Sequence, residues 1–236
     1  MKKLISFIMA VTIFLSVGVF AYADEPESGN GAPNFGVIFS NEPDELNEEE
    51  QILVDMKVAQ ALAFASMPST RAVTKISIPG TFTMYKQENS TLCTAACVQS
   101  VLKYLTGVLY SQSKVANDMG YNLVGILNSA IAPYLNKMQA KHFYSRATKP
   151  SQANMALYIY TAIAGNKVPA IMCIYNPSGA NWYYKTSGHT LVVNAVYSDR
   201  SKVQFADPLG NYISGVPVFY EKTANIAHGV CNDLIW

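Results

Sequence analysis

The sequence predicts an α+β domain, with helices gathered in its N-terminal part and an antiparallel sheet in its C-terminal part. Three observations predict it. Apolar residues recur at helical spacing from Cys93 to Ala164, they collect in short β-branched runs from Val168 onward, and the turn Ser198-Asp199-Arg200-Ser201 separates two such runs.

The elements follow in chain order. Lys2 and Lys3 precede a nearly unbroken apolar run, Leu4 to Phe20, and Ala21-Tyr22-Ala23 supplies the small-x-small pattern of a cleavage site. Residues 1–23 therefore read as a signal peptide, and the chain is expected to be secreted or cell-surface associated, with no membrane part once the signal is removed. Residues 24–47 are rich in Pro, Gly, Asn and acid and read as a disordered or loosely docked lead. Glu48 to Ala65 reads as an amphipathic helix, with Leu53, Val54, Met56, Val58, Leu62 and Phe64 among good helix formers and acid at its start. Met67-Pro68-Ser69-Thr70-Arg71 breaks it and suits proteolytic nicking.

Thr74 to Trp236 is the main domain. Cys93 to Leu105 reads as a helix with Gly107 as terminator, followed by helices at Ser111 to Met119 and Leu123 to Met138, the latter kinked or restarted near Pro133. Ser151 is an N-cap for a helix through Ala164. Val168 to Tyr175, Thr190 to Tyr197 and Lys202 to Ala206 read as strands, the last two as a hairpin; Asn211 to Ser214 and Val216 to Tyr220 are further strand candidates.

Charge divides the chain at the same point. Residues 24–73 carry ten acidic and two basic residues, whereas residues 74–236 carry six acidic and thirteen basic ones. Opposite signs on one chain suggest that the first part docks on the second, and the helix with the breaker after it reads either as part of the domain or as a removable pro-segment. The lysines of the basic part are scattered, so no nucleic-acid partner is expected. Three distant histidines and no second close cysteine pair leave no metal-ligand spacing, so neither metal nor cofactor is expected. Cys93, Cys97, Cys173 and Cys231 are too few for a disulfide scaffold in a chain this long.

Four residues carry the chemistry. Cys93 stands at the first turn of its helix, where unpaired N–H groups favour a thiolate; Cys97 lies a turn further in, on the packed face. His189 enters its strand through Gly188 and suits a base. If the 198–201 turn closes a hairpin, Asp207 meets His189 and can orient the imidazole, besides capping Asp207-Pro208-Leu209-Gly210. Gln87, in a polar loop six residues before Cys93, offers a side-chain amide that could bind a developing oxyanion. Trp182-Tyr183-Tyr184 suits either lining a cleft or packing in the core or a loop.

The segment Gln87-Glu88-Asn89-Ser90-Thr91-Leu92-Cys93-Thr94-Ala95-Ala96-Cys97, continuing to Tyr104-Leu105-Thr106-Gly107, resembles the active-site segment of papain-like cysteine peptidases. It is most similar to those related to the bacteriocin leader-processing peptidases. Gly188-His189-Thr190-Leu191-Val192-Val193 and Phe205-Ala206-Asp207-Pro208-Leu209-Gly210 resemble the same family's histidine and Ala-Asp-Pro segments. The resemblance implies a bacterial-type peptidase acting on a peptide or protein substrate, with Cys93 as nucleophile, His189 as general base and acid, Asp207 as orienter and Gln87 as oxyanion donor. It further suggests a zymogen whose own pro-segment is the intramolecular inhibitor. Thr94 departs from the family, which has Gly or another small residue there, and a β-branched side chain at that point could narrow the cleft. The same residues would serve transamidation, and a non-catalytic peptide-binding domain on this fold is the alternative.

Overall fold

The computed structural model describes residues 36–66, 72–210 and 212–236; the expected signal peptide and the 67–71 break lie outside them. The first described residues form a short strand, β1 (Val37–Ile38), and a strap that continues to Asn47. Residues 24–35 of the expected loose lead lie outside the described residues, but residues 36–44 are not loose: they are seated on the domain through hydrogen bonds given below.

Helix α1 (Glu48–Ala65) starts in a reciprocal cap: Glu50 N donates to Asn47 Oδ1 at 2.9 Å and Asn47 N to Glu50 Oε2 at 3.0 Å. Its apolar residues lie all round the cylinder instead of along one stripe. Ala61, Val58 and Phe64 face inward, while Met56 and Leu62, expected in the buried stripe, are more than 60% exposed. Lys57 faces inward too, donating Nζ to the Phe143 carbonyl at 2.7 Å and to the Trp236 carbonyl at 2.5 Å; burial pulls its pKa down to about 7.

After β2 (Lys75–Ser77), helix α2 (Cys93–Thr106) buries a broad face including Ala95, Val98, Val101 and Leu102. Helix α3 (Gln112–Asp118) is capped by Ser111 Oγ. Residues 123–127, expected to open a helix, instead form a bend and β3 (Ile126–Leu127). Leu123 sits at φ 73°, which no right-handed helix accommodates. A 3₁₀ turn (Asn128–Ala130) leads into α4 (Ile131–Met138), where Pro133 falls in the first turn and no kink is needed. Strand β4 (Arg146–Thr148) precedes α5 (Gln152–Tyr160), which the Ser151 side chain caps and which ends in a π turn (Thr161–Gly165).

The sheet is built from β4, β5 (Ala170–Asn176), β6 (Thr186–Tyr197), β7 (Lys202–Ala206), β8 (Phe219–Thr223) and, beyond helix α6 (Ala224–Val230), the final strand β9 (Cys231–Ile235). Its order is β4-β9-β5-β6-β7-β8, with β2 also on β6, and every pairing in it is antiparallel. Of the strand expected at Asn211 to Ser214, Asn211 lies outside the described residues and residues 212–214 form turns and an isolated bridge between Gly210 and Ile213, while Phe219–Thr223 takes the place beside β7. Helix α2 packs on β6, and Cys97, Leu191 and Val193 are among the fully buried residues of the core. Among the described residues no helix is long and apolar enough to cross a membrane.

Candidate active site

Three elements bring the predicted residues together. Cys93 is the first residue of α2, so its thiol sits where the helix dipole favours negative charge. His189 lies four residues into β6, not at its start, with Ile174 of β5 opposite. The β6–β7 hairpin turns at residues 198–201 as the sequence suggests, with Val192 opposite Ala206, and thereby carries Asp207 back to His189. His189 Nε2 lies 2.9 Å from Asp207 Oδ1, so the carboxylate holds that nitrogen of the ring and not Nδ1. Cys93 and His189 lie close enough for the charge of each to act on the other.

The electrostatics follow from that arrangement. Burial alone would raise the Cys93 thiol, but the charge of His189, helped by Thr190, brings it below its ordinary value. Burial would lower His189, yet the Asp207 carboxylate and the Cys93 sulfur outweigh it and hold the imidazole up to about 10. Both directions favour a thiolate–imidazolium pair. Cys97 donates its thiol to the Thr190 carbonyl at 3.2 Å, and burial pushes it and Cys173 well above the usual thiol range. One thiol of this cluster is activated and its neighbours are quenched.

Asp207 is held by four donors. Besides His189, Leu209 N reaches Oδ1 at 2.9 Å, and Tyr184 and Tyr220 hydroxyls donate to Oδ2 at 2.5 and 2.9 Å. Burial first, then the carboxylate, pushes both phenols well above their ordinary values, so they stay donors. Tyr184 is thus part of the site's support, the use of the 182–184 run that local pattern left open. Sequence reasoning missed Tyr220; only the β7–β8 pairing, Phe205 opposite Tyr220, brings it there.

Gln87 is 1% exposed in the loop before α2, and its backbone N–H donates to the Pro208 carbonyl at 3.1 Å, tying this loop to the Asp207 turn. Its Nε2 donates to the Asn89 carbonyl at 2.8 Å. An amide nitrogen carries two hydrogens, so a second donor remains.

The strap crosses this site. A Cβ on Gly36 would stand 2.3 Å from Cys93 Sγ, and one on Gly188 would stand 2.5 Å from the Val37 carbonyl oxygen, so only glycines allow the backbone so close. The Gly36 carbonyl accepts from Thr94 Oγ1 at 2.9 Å and Ile126 N at 3.4 Å, and β1 pairs in parallel with β3. Thr94 Oγ1 is in turn 2.7 Å from Thr190 Oγ1. Under this cover Cys93 and His189 are 1% and 2% exposed. Among the described residues no group of His, Cys, Asp and Glu is placed to hold a metal ion.

A sulfur at a helix start with an imidazole and a buried carboxylate beside it is the set of residue types that cysteine-type acyl transfer uses. Residues 80–227 match the sequence profile of the Peptidase_C39 like family, and the chain belongs to that family. It is accordingly a cysteine-type peptidase. Among solved structures it is similar to the peptidase domain of Streptococcus ComA, a bi-functional ABC transporter involved in a quorum sensing pathway. That likeness has 16% identity over 66% of this chain and 97% of that one, with TM-score 0.44. It is also similar to xylellain, a cysteine protease from Xylella fastidiosa, with 11% identity over 89% and 97% of the two chains and TM-score 0.42. A comparison with curated proteins found no match.

Proposed function

We propose that the chain is an exported proenzyme of a cysteine peptidase, in which Cys93, His189 and Asp207 form the triad and Gln87 helps to bind the oxyanion. The observation that carries this is the thiol at the tip of α2 paired with an imidazole whose Nε2 is held by Asp207. In the reaction, the Cys93 thiolate attacks a peptide carbonyl and forms the C–S bond. The Cys93 backbone N–H and the spare Gln87 N–H stabilise the negative oxygen. His189 gives its proton to the departing amine as the C–N bond breaks. It then takes a proton from water, whose oxygen displaces the sulfur and releases the acid. Asp207 keeps the ring in position and favours its charged form.

The inhibitory part is residues 24–73, removed by cleavage near Ser69 to Lys75. The reading is supported by Gly36 resting on the sulfur and by the fate of its carbonyl. That oxygen is taken by Thr94 and Ile126, so the Gly36–Val37 peptide fills the groove as a blocker. Thr94, the residue that departs from the family pattern, thereby acts in holding the blocker.

The test is to treat the exported protein with iodoacetamide, map the modified cysteine, and assay peptide hydrolysis by wild-type and Cys93→Ala proteins. Labelling confined to Cys93 and hydrolysis lost in Cys93→Ala are the outcomes expected. Labelling of Cys97 in its place, or equal hydrolysis by both proteins, removes the assignment. An exported protein that still begins at Met1 would dispose of the signal-peptide reading.

A further inference from the structure

Most of the strap's attachment lies away from the sulfur. Arg146, the first residue of β4, has a side chain only 2% exposed, and its guanidinium carries five N–H donors. Nε and Nη2 both reach Asp44 Oδ1, at 2.8 and 2.7 Å. Nη2 also donates to the Glu42 carbonyl at 2.5 Å, and Nη1 donates to the Ser40 carbonyl at 3.0 Å. The fifth contact, Nη1 to Asp233 Oδ1, is the longest at 3.5 Å. Four of the five donor contacts therefore end on the strap. Residues 40, 42 and 44 supply them in alternation, as an extended chain does when it turns one side to a partner.

The surroundings do not replace these partners. Asp233 is fully buried, and its oxygens already receive Asn128 Nδ2 at 2.7 Å, Asn232 Nδ2 at 2.5 Å and Thr148 Oγ1 at 2.9 Å. Asn128, also fully buried, turns its Oδ1 to the strap and accepts Ser40 N at 2.8 Å. A desolvated guanidinium whose nearest carboxylate belongs to a detachable segment is left short of acceptors when that segment leaves. Such a group has a strong requirement for another ligand with the same acceptors.

We propose that Arg146, Asn128 and Asp233 form a second recognition site, apart from the acyl-transfer residues, that binds an extended acidic peptide. It reads backbone carbonyls, one backbone N–H and a side-chain carboxylate eight residues beyond the residue at the sulfur, and Asp44 fills it in the uncut chain. The inference rests on the reading of the strap as an occupant of the substrate groove. It adds that a peptide in trans bearing Asp or Glu at the same distance takes the strap's place.

The test keeps the full chain and reads strap opening in two ways, by iodoacetamide modification of Cys93 and by amide hydrogen exchange across residues 37–42. Asp44→Asn is expected to speed both by at least about tenfold, the scale of a lost buried charge contact, while Asp44→Glu stays within about threefold of wild type. A synthetic peptide of residues 35–46, added to the Asp44→Asn chain, is expected to slow the modification. The same peptide with Asn at position 44 should need about tenfold more. Adding Arg146→Gln to the chain should abolish the difference between the two peptides. The Asp44 variants and the peptides leave the domain's own residues unchanged, so the result does not depend on the Arg146 variant folding. The inference is overturned if Asp44→Asn opens no faster than wild type, or if both peptides protect equally or not at all. Should Cys93 resist modification in every variant while exchange still responds to Asp44→Asn, the acyl-transfer reading falls and the recognition site stands.

Discussion

Asp207 and His189 are 18 residues apart in sequence, yet Asp207 Oδ1 and His189 Nε2 stand 2.9 Å apart because β6 and β7 close one hairpin between them. That contact fixes one nitrogen of the ring. Replacing Asp207 by Asn keeps the shape but removes the charge that holds His189 protonated. Peptide hydrolysis should fall by roughly 10² to 10⁴-fold, within the range general acid–base catalysis contributes, measured as kcat/KM on a fluorogenic peptide.

Gln87→Ala removes a donor from the place where negative charge develops. The expected loss is about 10² to 10³-fold in kcat, with KM moved much less, since the interaction strengthens in the transition state. An equal rise in KM with kcat unchanged would show that Gln87 only positions substrate.

The sulfur's pH behaviour has a definite sign. Cys93 is held below its ordinary thiol value, so its thiolate persists to lower pH than that of a free cysteine and is lost as pH falls through the lowered value. His189 is held up to about 10, so the imidazolium survives until pH rises through that point. Alkylation of a Gly36→Ala chain should therefore climb less steeply between pH 7 and 9 than that of a free thiol, which gains about tenfold per unit below its pKa. A tenfold rise per unit in that window would count against the ion pair.

Gly36→Ala is itself a prediction. Its new Cβ would stand 2.3 Å from Cys93 Sγ, far inside contact distance, so the strap has to lift. Cys93 in this variant should react with iodoacetamide faster than in wild type, while thermal unfolding of the domain changes little.

Tyr220→Phe takes one of two phenol donors from Asp207 Oδ2. A buried carboxylate oxygen short of a donor costs about 1–3 kcal/mol. A lowered melting temperature is expected, together with a hydrolysis pH profile displaced from that of wild type. An unchanged profile would make Tyr220 a packing residue alone.

Much of this site can be read along the chain, because each catalytic candidate depends on its immediate neighbours. Cys93 is marked by a helix start, His189 by a glycine and a β-branched run, and Asp207 by a hairpin and an Asp-Pro turn. What could not be read depends on distant pairing. Tyr220 reaches Asp207 only because β8 lies beside β7, and Arg146 meets Asp44 across 102 residues. The stretch 123–127 misled because its apolar content suits a helix, while the backbone there serves as partner for β1. Helix α1 misled in the other direction: its extent follows from capping and propensity, but which face is buried depends on the surface it meets. Lys57, the residue a pattern would place in water, points at two carbonyls.

The parallel pairing of β1 with β3 has a consequence for the molecule without its first segment. Ile126 N–H and the Leu127 backbone would then lie along an open sheet margin beside the reactive sulfur. Such a margin templates any extended chain of suitable shape, a neighbouring copy included. If the proposed cleavage removes that segment, a sticky border is exposed along with the thiol, and storage at high concentration should then favour self-association until a peptide lies alongside.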